Sequence, residues 1–185
     1  GMSKIKKEEK TQRSRALLMP MYEQKNSIFL ESFRILGANV QVLFGNNERI
    51  KQKSILITSS NPEEGKSMIT SNLSIILAQM GYKVLVMDVD LRRSSLHHIF
   101  GLKKEGGLTD ILTGKMTIDQ AVRTVTDLLL GDLGHEGILH NPWLDNFHLI
   151  TVGTIFPNSP YLLNTENMNI LIKDLKNRYD VIIMD

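Results

Sequence analysis

The apolar and polar residues of the chain follow two periods, one typical of helices and one typical of buried strands. Short apolar runs that predict strands occur at residues 55–57, 83–88, 147–152 and 181–184. Apolar residues at helical spacing occur at residues 26–44, 66–80, 108–112, 117–122 and 168–175. Because strands and helices alternate, the sequence predicts an α/β fold in three layers, in which helices cover both faces of a mostly parallel sheet.

Length and composition fit one folded domain with a basic segment in front of it. A chain of 185 residues with 42% hydrophobic content can bury one core, which we assign to residues 26–185. Residues 1–25 show little apolar periodicity, so we expect a solvated, disordered arm. The basic residues of this arm are Lys4, Lys6, Lys7, Lys10, Arg13 and Arg15.

Charge and cysteine content exclude several classes of protein. The formal net charge of +2 is too small for a strong attraction to nucleic acid, so no nucleic-acid partner is expected. The absence of cysteine excludes a disulfide framework and fits a reducing compartment. No apolar run approaches the roughly 18 residues that a membrane span needs. We therefore expect a cytoplasmic protein.

The segment at residues 55–68 has the order that a phosphate-binding loop requires, a strand followed by a loop and a helix. Gly65 lets the backbone approach phosphate, Lys66 supplies an ammonium for the β- and γ-phosphates, and the Ser67 hydroxyl suits Mg²⁺. The usual pattern G-x-x-x-x-G-K-[ST] is altered at its first position, which is Ser60. We predict a nucleoside triphosphate with Mg²⁺ as the ligand. The expected nucleotide contacts are Ser60, Asn61, Glu63, Glu64, Gly65, Lys66, Ser67 and Met68.

Acidic residues follow two of the predicted strands. Asp88 and Asp90 come at the end of the second strand, and Asp185 ends the last one. Ligands of open parallel sheets bind at the carboxyl ends of the strands, so we expect Asp88 and Asp90 to point into the same crevice as Lys66. Carboxylates at that position can bind a hydrated Mg²⁺ and orient a nucleophile.

These motifs together resemble those of a known family. The sequences SSNPEEGKS, VLVMDVDLRR and YDVIIMD are similar to the Walker A, Walker A′ and Walker B motifs of bacterial tyrosine kinases of the CpsD/CapB type. The resemblance covers residues 27–185 and implies a P-loop NTPase fold. It also implies an ATP-dependent protein-tyrosine kinase, often autophosphorylating, that regulates the synthesis and chain length of capsular or exopolysaccharide. A membrane-embedded chain-length or co-polymerase protein would activate it and recruit it to the inner face of the membrane.

The resemblance also implies a role for each motif residue. Lys66 would neutralise the phosphate during transfer, and Asp88 would orient or deprotonate the hydroxyl of a tyrosine-bearing protein substrate. Asp90 would act beside it in catalysis. Ser67, Asp90 and Asp185 would surround the Mg²⁺ ion of the ATP complex.

Three departures from the family pattern bear on these expectations. Related partitioning and septum-site ATPases carry a signature lysine where this chain has Asn61, which favours the kinase branch. Glu31 and Arg34 resemble the start of the oligomerisation motif E-x-x-R-x-x-R, but its last arginine is replaced by Gly37. A homo-oligomer through this helix is therefore one prediction, and a plain surface i, i+3 pair is the alternative. The chain stops at Asp185, where the family continues, so we expect a C-terminally truncated domain with a weakly supported last strand.

Two other functions stay open at this point. One is a partitioning or positioning ATPase similar to ParA and MinD, which would hydrolyse ATP without phosphorylating protein. The other is a non-catalytic module whose binding to a partner depends on ATP. Neither alternative changes the predicted ATP and Mg²⁺ ligands.

Overall fold

The computed structural model describes residues 28–45, 53–61, 64–124, 127 and 142–185. The predicted basic arm and Glu63 lie outside the described residues. The helices within the described residues are α1 (Ile28–Phe44), α2 (Lys66–Gln79), α3 (Leu96–Ile99), α4 (Leu108–Leu112), α5 (Ile118–Ala121) and α6 (Glu166–Arg178). Its strands are β1 (Lys53–Leu56), β2 (Val84–Met87), β3 (Phe147–Ile150) and β4 (Val181–Met184), and 3-10 turns cover Pro142–Asn146 and Ser159–Asn164.

The strands form one parallel sheet in the order β1-β4-β2-β3. The prediction of a parallel α/β sheet is therefore confirmed. The last strand in the sequence pairs with β1 on one side and β2 on the other, so the expectation that it would be weakly supported is wrong. The edge strand β1 is the more exposed one, and the Leu56 side chain is 62% exposed.

Helices cover both faces of the sheet, as the uninterrupted apolar runs of β2 and β4 require. Successive side chains of a strand point to opposite faces, and β2 divides its four buried residues accordingly. Val84 and Val86 pack with Leu73 and Leu77 of α2. Leu85 and Met87 belong to the opposite cluster, which includes Leu171, Leu175 and Ile182. This two-sided core holds the carboxyl ends of β2 and β4 at one edge of the sheet.

A glycine sets the distance between the first two helices. Gly37 is buried on α1, and a Cβ atom added there would lie 2.6 Å from Cγ2 of Ile76 on α2. Position 37 therefore faces α2, so an arginine there would not reach the outer surface of α1 in this packing. Within the described helices, none combines the length and hydropathy needed to cross a membrane.

Candidate functional site

The loop between β1 and α2 has the conformation that the phosphate-loop prediction requires at Gly65. Gly65 is the N-cap residue of α2 and has a φ angle of 90°, a left-handed conformation that suits glycine. The first amide groups of α2 follow this turn, and such groups together with the helix dipole attract anions. The loop is therefore prepared to receive phosphate beside Lys66.

Two side chains stabilise the phosphate loop from within. Ser59 Oγ donates to the carbonyl oxygen of Asn61 over 3.0 Å, and Asn61 Nδ2 donates to Glu64 Oε1 over 2.7 Å. The hydrogen bond from the Asn61 side chain lowers the pKa of Glu64. At the position of the signature lysine of partitioning ATPases, this chain therefore has Asn61, whose side-chain amide forms a hydrogen bond within the loop.

Lys66 is held between two carboxylates. Its Nζ atom lies 3.2 Å from Asp185 Oδ1 and 3.8 Å from Asp90 Oδ2. Asp185 is buried and Asp90 is half-buried. A buried charge without a partner is costly, so Lys66 and Asp185 stabilise each other across the floor of the site.

Two hydroxyl groups of α2 bind the same carboxylate. Ser67 Oγ donates to Asp185 Oδ2 over 2.6 Å, and Thr70 Oγ1 donates to Asp185 Oδ1 over 2.7 Å. Ser67 and Asp185 were both predicted, but Thr70 was missed. The signal for Thr70 is its place one helical turn after Lys66, on the face of α2 that packs against the sheet. A hydroxyl at that place is buried, so it needs a polar partner.

Asp88 lies beneath the site and not in its lining. It is completely buried, and its oxygens accept N–H groups from Asp90, Ser95 and Leu96, each over 3.2 Å. Burial and the neighbouring charge of Asp185 raise the pKa of Asp88 to about 7. The expectation that both acids line one crevice is therefore met by Asp90 and not by Asp88. The physical reason is that the turn after β2 presents buried backbone donors, and the Asp88 carboxylate satisfies them.

Asp90 connects the site to the two arginines that follow it. Its Oδ1 atom accepts the backbone N–H groups of Arg92 and Arg93 over 3.1 and 2.8 Å. Its Oδ2 atom is the one that faces Lys66. One carboxylate thus fixes the conformation of this turn and contributes charge to the site.

The predicted residues meet at a cleft of about 1170 Å³ at the carboxyl ends of the strands. Glu64 is exposed and Asp88 is buried, and neither belongs to the lining. Glu63 lies outside the described residues. The predicted residues that line the cleft are Ser60, Asn61, Gly65, Lys66, Ser67, Met68, Asp90 and Asp185.

The oxygen atoms of the cleft fit a magnesium nucleotide better than a metal held by protein alone. Ser67, Asp90 and Asp185 offer hard oxygen ligands, the type that Mg²⁺ prefers. Among the described residues, no group of three or more His, Cys, Asp or Glu side chains is placed to bind a metal ion. Phosphate oxygens and water would therefore complete the coordination.

Asp110, which lies outside the lining of the cleft, joins the start of α4 to the loop after β3. Its Oδ2 atom accepts the N–H groups of Gly106, Gly107 and Thr154 over 3.0, 3.1 and 2.9 Å. Burial opposes the charged form of Asp110, but the hydrogen bonds from Gly107 and Thr154 prevail and lower its pKa. These bonds tie the start of α4 to the loop after β3, and that loop leads to the wall residues Pro160 and Leu163.

The sequence and the structure both match known proteins. The model of the CobQ/CobB/MinD/ParA nucleotide binding domain matches residues 55–183. Tyrosine-protein kinase YwqD of Bacillus subtilis is 33% identical over 168 residues, which cover 91% of this chain and 62% of that protein. Tyrosine-protein kinase etk of Escherichia coli is 31% identical over 131 residues, which cover 71% of this chain and 16% of that protein.

Solved structures agree with these relatives. The chimerical protein CapA2B2 gives a TM-score of 0.73 at 28% identity, covering 92% of this chain and 66% of that one. The kinase domain of Escherichia coli tyrosine kinase ETK gives 0.68 at 28% identity, covering 84% and 53%. The septum site-determining protein MinD of Pyrococcus horikoshii, complexed with Mg-ADP, shares the fold, with a TM-score of 0.52 at 24% identity, covering 72% and 48%.

The match covers a larger share of this chain than of its relatives. The chain spans less than two thirds of YwqD and of the matched CapA2B2 and ETK chains. The predicted P-loop fold and the predicted resemblance to bacterial tyrosine kinases are both confirmed. The chain belongs to the CobQ/CobB/MinD/ParA nucleotide-binding domain family, and its relatives there are bacterial tyrosine kinases.

Proposed function

We propose that this domain binds ATP with Mg²⁺ in the cleft and transfers the γ-phosphoryl group to the hydroxyl of a protein tyrosine. The observation that carries the proposal is the convergence of Lys66, Ser67, Asp90 and Asp185 at one end of the sheet. Phosphoryl transfer depends mainly on positioned charge, and these residues supply a cation, a hydroxyl and carboxylates within one cleft.

Each residue has a separate task in this proposal. The amide groups at the start of α2 bind phosphate oxygens, and Lys66 exchanges part of its contact with Asp185 for the γ-phosphate. Ser67 and Asp185 hold the metal side of the site. Mg²⁺, when bound, neutralises charge that develops on the β- and γ-phosphates.

The acceptor hydroxyl completes the reaction. The tyrosine oxygen forms a bond to the γ-phosphorus while the bond from phosphorus to the β–γ bridging oxygen breaks, and ADP leaves with that electron pair. Asp90, which lines the cleft, accepts the hydrogen bond of the hydroxyl and then its proton. Asp88 acts as a positioning residue, because its carboxylate holds the turn that carries Asp90.

The resemblance to capsule and exopolysaccharide kinases supplies the biological part of the proposal. The activator would be a membrane-embedded chain-length protein that recruits the kinase to the inner face of the membrane.

Self-association through α1 belongs to the same proposal. On the exposed surface of α1, Arg34 Nη1 and Glu31 Oε2 lie 3.4 Å apart, which fits the surface-pair alternative. Ile28, Ile35 and Val42 are exposed at heptad spacing on the same helix, and a second copy could cover them.

Incubation with Mg-ATP and a tyrosine-rich polypeptide tests the proposed activity. Phosphotyrosine should form with the wild type and disappear in Lys66→Met, which keeps an unbranched side chain but lacks the ammonium group. Lys115→Met is a matched control, because Lys115 is exposed outside the cleft. Absence of phosphotyrosine with every acceptor, in protein shown to bind ATP, would refute the kinase proposal.

The family match and the fold shared with MinD support one second candidate, a positioning ATPase. This candidate predicts phosphate release stimulated by a membrane or DNA surface, without labelled protein. A non-catalytic module predicts tighter partner binding with ATP and no phosphate release at all. Measuring released phosphate and phosphotyrosine in the same reaction separates these three functions.

A further inference from the structure

The lining of the cleft also includes residues outside the proposed phosphate and metal site. They come from the turn that follows β2, from α3 and from the 3-10 turn Ser159–Asn164, and we call this part of the lining the extension. Leu91, Ile99, Pro160 and Leu163 line this part, and the first two of these side chains are buried. These four side chains give the extension an apolar surface, to which Ser95 and His98 add polar groups.

Two exposed arginines stand at this extension. Arg92 and Arg93 line the cleft, and neither guanidinium forms an ion pair with another described residue. Lys66 differs from them, because Asp90 and Asp185 compensate its charge. Among the described residues that line the cleft, the two arginines therefore supply the positive charge available to a second ligand.

The backbone beneath the arginines is fixed by the site itself. Asp90 Oδ1 accepts the N–H groups of both residues, so the turn keeps Arg92 and Arg93 in place relative to Lys66. This coupling places a basic rim next to the carboxylate that, in the proposed function, receives the acceptor proton. A group bound at the rim would therefore enter the reaction from the side of Asp90.

We propose that the extension is the acceptor subsite and that it selects tyrosines flanked by acidic residues. This inference rests on the proposed kinase function and names its substrate class, an acidic peptide segment that carries tyrosine. The apolar walls receive the ring, while Arg92 and Arg93 pair with carboxylates of neighbouring residues.

The chemistry of the two side-chain types supports this assignment. An aromatic ring gains by leaving water for an apolar wall such as Leu91, Ile99 and Leu163. A guanidinium pairs with carboxylates in a bidentate manner and also stacks on aromatic faces, so both arginines suit an acidic tyrosine segment. Lysine-rich segments would meet like charges at the same place, which disfavours them.

An alternative use of the arginines is to bind the triphosphate, as arginine does in many phosphate sites. The two uses differ in which ligand loses affinity when the charges are changed. Under our proposal, Arg92→Glu/Arg93→Glu weakens binding of the acceptor much more than binding of the nucleotide. Under the alternative, the nucleotide loses at least as much affinity as the acceptor.

The test uses matched peptides and a charge-matched control. The peptides contain one tyrosine flanked by Glu, Gln or Lys, and kcat/KM is measured for each with Mg-ATP. Binding of the Glu peptide and of ATP is measured separately by fluorescence anisotropy, which does not require turnover. The control Lys115→Glu/Lys173→Glu changes the net charge equally at exposed positions outside the cleft.

We expect the wild type to prefer the Glu peptide over the Lys peptide by roughly tenfold or more in kcat/KM. Arg92→Glu/Arg93→Glu should abolish or invert that preference, while the control double variant keeps it. Equal use of the three peptides by an active wild type, or a nucleotide loss that matches the acceptor loss, would overturn the acceptor subsite alone. No phosphotyrosine with any peptide would instead count against the proposed kinase function.

Discussion

Ser67 Oγ lies 2.6 Å from Asp185 Oδ2, although the two residues are 118 positions apart in the sequence. The contact joins the start of α2 to the end of β4 and is accompanied by the ion pair of Lys66 with the same carboxylate. Asp185 therefore neutralises Lys66 while nucleotide is absent and is available to the metal side of the site in the proposed complex. The Asp185 carboxylate can therefore favour the binding of Mg-ATP and disfavour the binding of ATP without a metal ion.

Replacing this carboxylate should reduce the metal dependence of nucleotide binding. In Asp185→Asn, free ATP meets less repulsion and a Lys66 that only Asp90 still compensates, whereas Mg-ATP loses a carboxylate on its metal side. We expect the ratio of the two affinities to fall by about tenfold, which corresponds to about 1.4 kcal/mol. Isothermal titration calorimetry with ATP, in Mg²⁺ and in a chelator, measures this ratio.

Thr70→Val is the control for the loss of Asp185. It keeps the carboxylate charge and removes the hydrogen bond from Thr70 Oγ1 to Asp185 Oδ1. Lys66 Nζ still contacts the same oxygen, so the loss is that of one hydrogen bond to a charged group, about 1.5–3 kcal/mol of stability, and the metal dependence should stay as in the wild type. If Thr70→Val and Asp185→Asn changed the affinity ratio equally, packing of α2 and not the carboxylate charge would explain the effect.

A second prediction concerns the role of Asp88. Asp88→Asn offers one acceptor oxygen and one donor group to a turn that presents only N–H groups, from Asp90, Ser95 and Leu96. At least one of these backbone N–H groups then faces the NH2 group of the new amide side chain. The turn that carries Asp90 should therefore shift. We expect a stability loss of about 1–3 kcal/mol and a larger loss in phosphotransfer than in ATP affinity.

The size of the loss in phosphotransfer distinguishes positioning by Asp88 from proton transfer to it. Protonation of Asp88, whose pKa is raised to about 7, gives an acid limb in either role, so the limb is expected under both. Asp90→Asn keeps an acceptor oxygen for the N–H groups of Arg92 and Arg93 and removes the proposed base, so it should lose more phosphotransfer than Asp88→Asn above that pH. A larger loss in Asp88→Asn would restore Asp88 as the base, the role that the family resemblance implies.

The fold and much of the site could be predicted from local patterns in the sequence. The apolar run of β2 and the loop ending in Gly65 and Lys66 are local signals, and they gave the sheet, the phosphate loop and the edge where ligands bind. The orientation of Asp88 could not be predicted, because its hydrogen-bond donors include Ser95 and Leu96, whose positions depend on how the turn closes. The central position of β4 depends on pairing between strands distant in sequence, which no local pattern specifies.

The surroundings of Arg92 and Arg93, the basic rim of the cleft, could not be predicted from local patterns either. Arg92 and Arg93 were visible in the motif, but their relation to an apolar extension depends on Pro160 and Leu163, which follow β3. The loop that carries these residues is held by Asp110 and Thr154, a contact across 44 residues. Sequence spacing alone could not bring these segments together.

A third prediction tests how tightly α4 is held against the loop after β3. A Cβ atom at Gly107 would overlap the carbonyl oxygen of Thr151, which is backbone and cannot turn away. We expect Gly107→Ala to lose about 2–4 kcal/mol of unfolding free energy, because α4 must separate from the loop after β3. Urea unfolding followed by circular dichroism measures the loss.

Gly114→Ala provides the comparison for Gly107→Ala. Gly114 has a φ angle of 73°, but nothing lies within 4 Å of an added Cβ atom. Its cost is therefore limited to the left-handed backbone, about 1–2 kcal/mol. Equal losses in the two variants would mean that the contact with Thr151 does not determine the cost at Gly107.

The last prediction concerns the opposite end of the sheet, where His148 Nδ1 and Tyr179 Oη lie 2.8 Å apart. Burial, followed by the charge of Lys83, lowers the pKa of His148, and burial raises the pKa of Tyr179 to about 12. The tyrosine hydroxyl thus stays protonated and forms a hydrogen bond with Nδ1 of a neutral imidazole, in which the ring tautomer sets the donor. Because the unfolded chain takes up a proton near pH 6.5 and the folded one resists it, stability is lost as the pH falls below that value.

One such proton changes stability by at most about 1.4 kcal/mol per pH unit. Urea unfolding at pH 7.5 and pH 5.5 should therefore show a larger loss on acidification for the wild type than for His148→Gln, which cannot take up the proton but keeps an acceptor for Tyr179. Tyr179→Phe removes the hydroxyl and keeps the imidazole, so it should remain acid-sensitive while being less stable at pH 7.5. Since other groups titrate equally in both proteins, the difference between the wild type and His148→Gln isolates His148. Equal losses on acidification would show that His148 is as easily protonated in the folded protein as in the unfolded chain.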